Sequence, residues 1–203
     1  MWRSRPRAFG EASPMSRVYL IRHAKPSAVW GGDDDDPGLD ETGRAQAAAA
    51  AKALLALPEG ERPTRVVSSP LRRCQETALP FAEAIGARLE IDPLVGEIPS
   101  PKALTPEARG PWLRAAFTGR WADIPGDLDY DVWRRDVAKA VASRPATAVF
   151  SHFVAINAVL TTLAGKPEVI MLRPDHASIS TFGLDGGVLT LIEAGREAST
   201  QVL

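Results

Sequence analysis

Two histidines and three arginines follow three short apolar segments of the sequence. Arg22 and His23 come directly after VYLI, Arg72 and Arg73 come after RVVSSPL, and His152 comes one residue after TAVF. If the three segments are neighbouring parallel strands, their carboxyl ends meet at one edge of a sheet, where ligands bind in open α/β folds. We therefore expect these side chains to converge on one site.

This set of side chains suits the chemistry of a phosphoryl group. The planar guanidinium of arginine binds phosphate oxygens in pairs, and a neutral imidazole can attack phosphorus to form a phosphohistidine. Helices that begin near Leu71 and at Phe153 would direct free N–H groups at the same anion. Because fixed cations would already neutralise the transferred charge, we expect neither a metal nor another cofactor. The three histidines also lack the His-Glu-x-x-His spacing of zinc hydrolases.

Strands and helices alternate along the chain, which predicts the α/β class. Apolar and β-branched runs predict strands over 17–22, 64–68, 88–91, 146–150, 178–184 and 187–193. Helical patterns cover 39–57, 71–85, 112–117, 129–143 and 153–164, with Asp40 as the N-cap of the alanine-rich first helix. We expect a three-layer sandwich with a mostly parallel central sheet, helices on both faces and an antiparallel edge hairpin through Asp185-Gly186.

The composition is that of an ordinary globular chain. Its 203 residues carry a net charge of −1 and one cysteine, so no basic surface indicates nucleic-acid binding and no internal disulfide can form. No stretch reaches the ~20 apolar residues of a membrane span, and we expect a cytoplasmic protein without membrane partners. Residues 1–14 lack the apolar centre of a secretory signal and are expected to be a disordered tail, or untranslated if synthesis starts at Met15. Residues 15–203 are expected to form a single domain.

Four motifs, in order, resemble those of the histidine phosphatase (phosphoglycerate mutase-like) superfamily. LIRHA at 20–24 is similar to its Arg-His-Gly signature, and LDETGRAQA at 39–47 to its Leu-Thr-x-x-Gly-x-x-Gln-Ala helix start. SSPLRRCQETA at 68–78 resembles its second arginine motif, and Ser151-His152 matches its late strand-end histidine. The resemblance runs from about residue 17 to residue 195, and so covers nearly the whole chain.

The resemblance implies a role for each site residue. His23 would be the nucleophile, Arg22 and Arg73 would clamp the phosphate, and His152 would contact the phosphate and stabilise the transition state. Glu97, in VGEIP, matches the family's acid position and would protonate the leaving oxygen, then activate water. These roles imply a small phosphorylated substrate.

The resemblance also selects between the two adjacent arginines and between two reactions. Arg73 rather than Arg72 occupies the family's position, and adjacent helical residues point about 100° apart, so only one is expected in the pocket.

Residues 25–30 lack the Glu-Ser and Asn that follow the nucleophile in mutases, and the surroundings of Glu97 lack their Trp-Glu-Gly pattern. A phosphomonoester hydrolase with a phosphohistidine intermediate is therefore the leading interpretation.

Three other functions remain open at this point. A phosphoglycerate mutase would retain its phosphoenzyme, and a protein phosphohistidine phosphatase would need a pocket open to a protein substrate. Residues 98–128 are expected to form a lid or insertion that covers the pocket and sets specificity. From a different class, the chain could be a non-catalytic phosphate-binding regulatory module. The outer edge of the terminal hairpin is either covered or pairs with a second copy, which leaves a homodimer open.

Three conspicuous features have simpler interpretations. Cys74 is interpreted as a packing residue, although it lies among arginines. The four aspartates at 33–36 predict a solvated acidic loop that would repel polyanions if it lies near the pocket. His176, in DHASIS, resembles the family's Asn-x-Ser-x-Ser segment before a late strand. We favour a loop or strand-cap role for His176 over a pocket-lining one.

Overall fold

The computed structural model describes residues 16–28 and 36–198, and the predicted tail at 1–14 lies outside them. Its strands are β1 (Ser16–Arg22), β2 (Arg65–Ser68), β3 (Leu89–Ile91), β4 (Thr147–Ser151), β5 (Ile179–Asp185) and β6 (Val188–Glu193). They form one sheet in the order β3-β2-β4-β1-β5-β6. The first four strands in that order are parallel, and β5 and β6 add an antiparallel edge. The predicted mostly parallel sheet with an antiparallel hairpin is confirmed.

The described helices cover both faces of this sheet. They are α1 (Glu41–Leu55), α2 (Arg72–Ala84), α3 (Pro106–Phe117), α4 (Tyr130–Ala142) and α5 (Phe153–Leu163), with short 3-10 turns at Pro93–Val95 and Trp121–Asp123. Helices α1 and α2 pack on one face, whereas α3, α4 and α5 contribute to the larger core on the other. The three-layer sandwich is therefore present as predicted.

The central strand β1 shows why two faces must be covered. Tyr19 and Ile21 belong to the core beneath α1 and α2, whereas Val18 and Leu20 belong to the opposite core. Successive side chains of a strand point to opposite faces, so a run that is apolar at every position must be buried on both sides. This burial places the carboxyl end of β1 deep between two helical layers.

The start of α1 packs closely against the loop that follows β1. Asp40 caps the helix, as predicted, by accepting a 2.6 Å hydrogen bond from the Gly43 amide. A Cβ atom at Gly43 would lie 2.1 Å from the carbonyl oxygen of Lys25, so only glycine permits this approach. The start of α1 therefore packs against the loop after β1 and restricts its position.

Two local predictions differ from the structure. The helix expected at 112–117 begins at Pro106, because Thr105 caps it by accepting from the Ala108 amide and proline is tolerated in a first helical turn. The hairpin turn consists of Gly186 and Gly187, one residue later than expected, since both have positive φ (54° and 83°), as a type I′ turn requires. Asp185 stays in β5 and pairs with Val188.

The segment 98–128, expected to be a lid, contributes apolar side chains to the larger core. Ile98, Leu113, Trp121 and Ile124 are buried in it, and Trp112 packs against them and against Tyr130 of α4. Its role as a lid stays a prediction. Within the described residues, no helix is both long and apolar enough to cross a lipid bilayer.

Candidate active site

The three strands that precede the predicted site residues are direct neighbours. β4 lies between β2 and β1, with Ser151 paired to Arg22 and Phe150 paired to Ser68. The residues that follow these strands therefore meet at one edge of the sheet. The rings of His23 and His152 lie 5.3 Å apart, centroid to centroid.

His23 presents one ring nitrogen with a free lone pair. Its side chain is almost fully buried, and Nδ1 lies 2.9 Å from the carbonyl oxygen of Ala24. A carbonyl oxygen can only accept, so the proton of the neutral ring is on Nδ1 and the lone pair is on Nε2. Burial, then the charges of His152 and Arg22, keep the pKa of His23 well below its usual value. His23 is thus a neutral imidazole at neutral pH, the form that can attack phosphorus.

His152 is fully buried and hydrogen bonded through both ring nitrogens. Its Nε2 lies 2.7 Å from the Ser69 hydroxyl oxygen, and its Nδ1 lies 3.3 Å from Oε2 of Glu97. Ser69 Oγ accepts from the Leu71 amide, which leaves the hydroxyl proton to be donated to Nε2. A guanidinium nitrogen of Arg73 also lies 3.4 Å from Nδ1, but the carboxylate of Glu97 is closer and can only accept, so we assign the ring proton of His152 to Nδ1. Sequence analysis did not single out Ser69, although it lies within the second arginine motif.

Arg73, rather than Arg72, points into the site. The side chain of Arg73 is buried, and its guanidinium nitrogen lies 3.6 Å from Oε2 of Glu97. The side chain of Arg72 is 62% exposed and pairs with Glu76 one helical turn away. Both belong to the first turn of α2, where a rotation of about 100° between neighbours separates their directions.

Arg22 supplies a second buried guanidinium. It donates a 2.9 Å hydrogen bond to the carbonyl oxygen of Pro174 and lies 5.4 Å from the ring centre of Phe153. Burial, opposed by the carboxylate of Glu97, lowers the pKa of Arg22 to about 10, so it stays cationic at neutral pH. Phe153 also contacts Phe117, the last residue of α3, so the segment 98–128 reaches the neighbourhood of the pocket.

Glu97 is a buried carboxylate that faces two of the predicted phosphate ligands. One oxygen accepts from the Ile98 amide at 3.2 Å, and the other lies between Arg73 and His152. Burial alone would raise the pKa of Glu97, but His152 and the permanent charge of Arg73 outweigh it and hold the pKa below its usual range. Glu97 is therefore ionised at neutral pH.

A buried hydroxyl joins the loop after His23 to the helix that carries Arg73. Thr77 Oγ accepts from the Ala24 amide at 2.9 Å and donates to the carbonyl oxygen of Arg73 at 2.6 Å. The loop after His23 and the arginine are thus held by one side chain of α2. The helices α2 and α5 begin at this site, with Leu71 and His152 as their N-cap residues. Both helix dipoles direct their positive ends at the place where an anion would bind.

Two further residues lie closer to the site than the sequence suggested. His176 is in a loop, as expected, but its ring centre is 5.7 Å from that of His23. Asp36, the described member of the acidic run, accepts from the Arg72 amide and lies 4.0 Å from a guanidinium nitrogen of Arg73. Local sequence does not predict these two contacts, because both depend on where the loops cross the edge of the sheet.

Cys74 has the surroundings of a packing residue. It is fully buried, and burial raises the pKa of its thiol, so the reactive thiolate is disfavoured despite the neighbouring Arg73. Its sulfur donates to the Ser151 carbonyl oxygen and lies 3.3 Å from Nε2 of His152. Across residues 16–28 and 36–198, no group of three His, Cys, Asp or Glu side chains has the geometry to hold a metal ion.

The comparisons with known proteins agree in family and fold. A sequence model described as histidine phosphatase superfamily (branch 1) matches residues 18–195. A Yersinia pestis protein named probable phosphoglycerate mutase GpmB is 30% identical over 173 residues, which cover 75% of this chain and 77% of that protein.

Solved structures with the same fold include two phosphatases. A mycobacterial glucosyl-3-phosphoglycerate phosphatase is 24% identical with a TM-score of 0.67, and the match covers 88% of this chain and 97% of that one. A phosphoserine phosphatase from Entamoeba histolytica, solved with 3-phosphoglyceric acid, is 18% identical with a TM-score of 0.67 and coverages of 91% and 98%. At these identities, the likeness establishes the fold.

Proposed function

The chain belongs to the histidine phosphatase superfamily (branch 1), and from this membership we propose that it is a phosphomonoester hydrolase that forms a phosphohistidine on His23. The observation that carries the proposal is the state of His23. Its Nδ1 proton is donated to the Ala24 carbonyl oxygen, so Nε2 holds a lone pair, and the charges of the buried Arg22 and Arg73 act on the same ring. A nucleophile and two fixed cations are the groups that metal-free phosphoryl transfer requires.

In the first half-reaction, Nε2 of His23 attacks phosphorus and the bond from phosphorus to the ester oxygen breaks. Arg22, Arg73 and the Nδ1 proton of His152 bind the phosphoryl oxygens, whose charge they stabilise in the transition state. The leaving oxygen takes a proton from Glu97. The products of this step are the free alcohol and a phosphohistidine.

Glu97 must gain a proton before it can act as an acid. In the site without a ligand it is ionised, held by Arg73 and His152. A bound phosphate dianion would compete for both partners and repel the carboxylate, and each effect raises the pKa of Glu97. Substrate binding would thus create the acid that the reaction needs.

In the second half-reaction, water attacks the phosphohistidine. The ionised Glu97 accepts a proton from this water, the bond from nitrogen to phosphorus breaks, and inorganic phosphate leaves. His23 returns to its neutral form, and Glu97 releases to solvent the proton that it took from water as phosphate leaves, so the cycle closes without a cofactor. The proposed substrate is a small phosphomonoester.

The name of the curated relatives favours a second candidate, a phosphoglycerate mutase. A mutase would return the phosphoryl group from His23 to the other hydroxyl of the glycerate, rather than to water. Residues 25–30 lack the Glu-Ser and Asn that the resemblance associates with mutases, which argues against this candidate. Incubation with 3-phosphoglycerate separates the two, because a mutase produces 2-phosphoglycerate whereas a hydrolase releases phosphate.

The first test is phosphate release from a small aryl phosphate with EDTA present. We expect the native protein to turn over and His23→Ala to lose at least about a thousandfold of that activity. Rapid quenching should trap an acid-labile phosphoenzyme in the native protein but not in the variant. Activity retained by His23→Ala would overturn the mechanism. Phosphate binding without turnover of any phosphomonoester would instead support the regulatory module.

Two neighbouring arginines provide a matched test of the phosphate clamp. Arg73→Ala should lower kcat/KM by about a hundredfold or more, because it removes a buried cation that faces the anion site. Arg72→Ala changes the same residue type one position earlier but affects a side chain that points to solvent. Its kcat/KM should stay within about threefold of the native value. Equal losses in the two variants would contradict the assignment of Arg73.

A further inference from the structure

His176 is the third of the three histidines in the chain, and all three lie together. His23 is in the middle, with ring centres 5.3 Å from His152 and 5.7 Å from His176. The function proposed above uses the first two and leaves His176 without a role. Its ring is partly exposed and lies next to the ring of His23.

The backbone that carries His176 is held in a costly conformation. Ala177 has φ of 55°, in the left-handed region, which costs a residue with a Cβ roughly 1–2 kcal/mol. Its amide donates to the Arg22 carbonyl oxygen at 3.1 Å, and its methyl group packs against a small apolar cluster formed by Ala24, Leu39 and Ala47. Strain of this kind persists where the surrounding contacts impose it, often at functional sites.

Hydrogen bonds of the residues before His176 also fix the position of its backbone. Asp175 accepts from the amide of His176 at 2.8 Å, and Arg196 in turn pairs with Asp175 at 2.9 Å. The carbonyl oxygen of Pro174 accepts from the guanidinium of Arg22. The segment therefore closes over the end of β1 and holds the imidazole of His176 beside the nucleophile.

Burial and the charges around His176 keep its ring neutral at neutral pH. The charged or titratable groups that face it are His23, Arg22, Asp175, Lys25 and Asp40. Burial and the guanidinium of Arg22 lower the pKa of His176 to about 4, against the weaker opposing effect of Asp175. Lys25 and Asp40 form an ion pair with each other, which reduces their separate influence.

Given the hydrolase function proposed above, we propose that His176 is a substrate-binding residue that takes up a proton when a phosphate dianion binds and donates a hydrogen bond to it. The dianion would offset the charge of Arg22 and attract the imidazolium. The proton comes from solvent on binding and returns to solvent when inorganic phosphate leaves. A charge-assisted hydrogen bond formed in this way would strengthen substrate binding.

The direct test follows the three imidazole rings of the native protein by NMR. The titration runs from pH 3 to pH 8, with and without inorganic sulfate. Sulfate is a dianion over this range and needs no turnover. We expect sulfate to raise the titration midpoint of the His176 signal by at least about one pH unit. The His176→Gln variant assigns that signal by its disappearance. A His176 midpoint unmoved by saturating sulfate would overturn the proposal.

Kinetics with a small aryl phosphate distinguish binding from a structural role. At pH 6, His176→Gln should raise KM by about ten- to a hundredfold and leave kcat within about threefold. The KM increase should become smaller as the pH rises. At higher pH, protonation of His176 costs the native protein more free energy, so the hydrogen bond adds less to substrate binding. An unchanged KM, or a loss confined to kcat, would contradict a substrate contact.

The two tests separate this inference from the proposed function. If the native protein hydrolyses no phosphomonoester but sulfate raises the His176 midpoint, the hydrolase function fails and the anion contact stands. If the protein is an active hydrolase and the midpoint does not move, the function stands and the inference is wrong.

Discussion

The carboxylate of Glu97 lies 3.3 Å from Nδ1 of His152. It also faces Arg73, so the proposed acid lies against two groups that are expected to bind phosphate. An incoming phosphate dianion must displace this carboxylate from them. The same contact that keeps Glu97 ionised in the free protein would therefore couple its protonation to substrate binding.

Replacing Glu97 with Gln separates catalysis from phosphate binding. The variant keeps the shape of the side chain but can neither donate an acid proton nor activate water, so kcat should fall by about 10²–10⁴-fold. Inhibition by inorganic phosphate should become stronger, because no carboxylate competes for Arg73 and His152. Competitive inhibition constants at pH 7 measure this directly. Weaker phosphate binding in the variant would show that Glu97 does not oppose the anion.

Ser69 is predicted to position His152. Its hydroxyl lies 2.7 Å from Nε2, and the hydrogen bond keeps the ring proton on Nδ1, where phosphate would meet it. Ser69→Ala should lower kcat by about tenfold and shift the pH profile of kcat, since the tautomer is no longer fixed. Ser68→Ala is the matched control, because Ser68 is buried next to it but donates to the Ser69 carbonyl oxygen. Identical pH profiles for Ser69→Ala and the native enzyme would rule out this positioning role.

Asp36 is predicted to select against highly charged substrates. Its carboxylate caps α2 at the Arg72 amide and lies 4.0 Å from the guanidinium of Arg73. Asp36→Asn keeps a capping oxygen but removes the charge, so KM for esters with a further phosphate should fall about two- to fivefold more than KM for phenyl phosphate. Asp129→Asn makes the same change at the cap of α4 and should alter neither KM. If the ratio of the two KM values is the same in Asp36→Asn as in the native protein, Asp36 does not select against charged substrates.

Ala146 is predicted to store strain that glycine would relieve. Its φ of 53° lies in the left-handed region, just before β4. Ala146→Gly should raise the free energy of unfolding by about 0.5–1 kcal/mol, because the relieved strain exceeds the added chain entropy. Ala49→Gly, the same substitution at an exposed position of α1, should instead lower it by about 1 kcal/mol. Urea denaturation of the two variants measures both; a loss of stability in Ala146→Gly would show that the left-handed backbone carries no strain there.

The local sequence was enough to predict most elements of this fold. Residues 18–21 of β1 are all apolar, which requires burial on both faces, and alanine-rich α1 begins after the predicted cap Asp40. The strand-end motifs also predicted that Arg22, His23 and His152 would meet, since parallel neighbouring strands share one edge. The position of Glu97 followed from family resemblance instead, because the segment around it has no regular periodicity.

Contacts between distant segments were decided by tertiary structure. Ser69 and His152 are 83 residues apart, and their hydrogen bond exists because β2 and β4 are adjacent in the sheet. His176 lies beside His23 because a strained turn before β5 closes over the end of β1. Sequence patterns report which residues are buried and which conformation a segment prefers. The paths of loops, and thus the partners of a loop residue, depend on the packing of the whole domain.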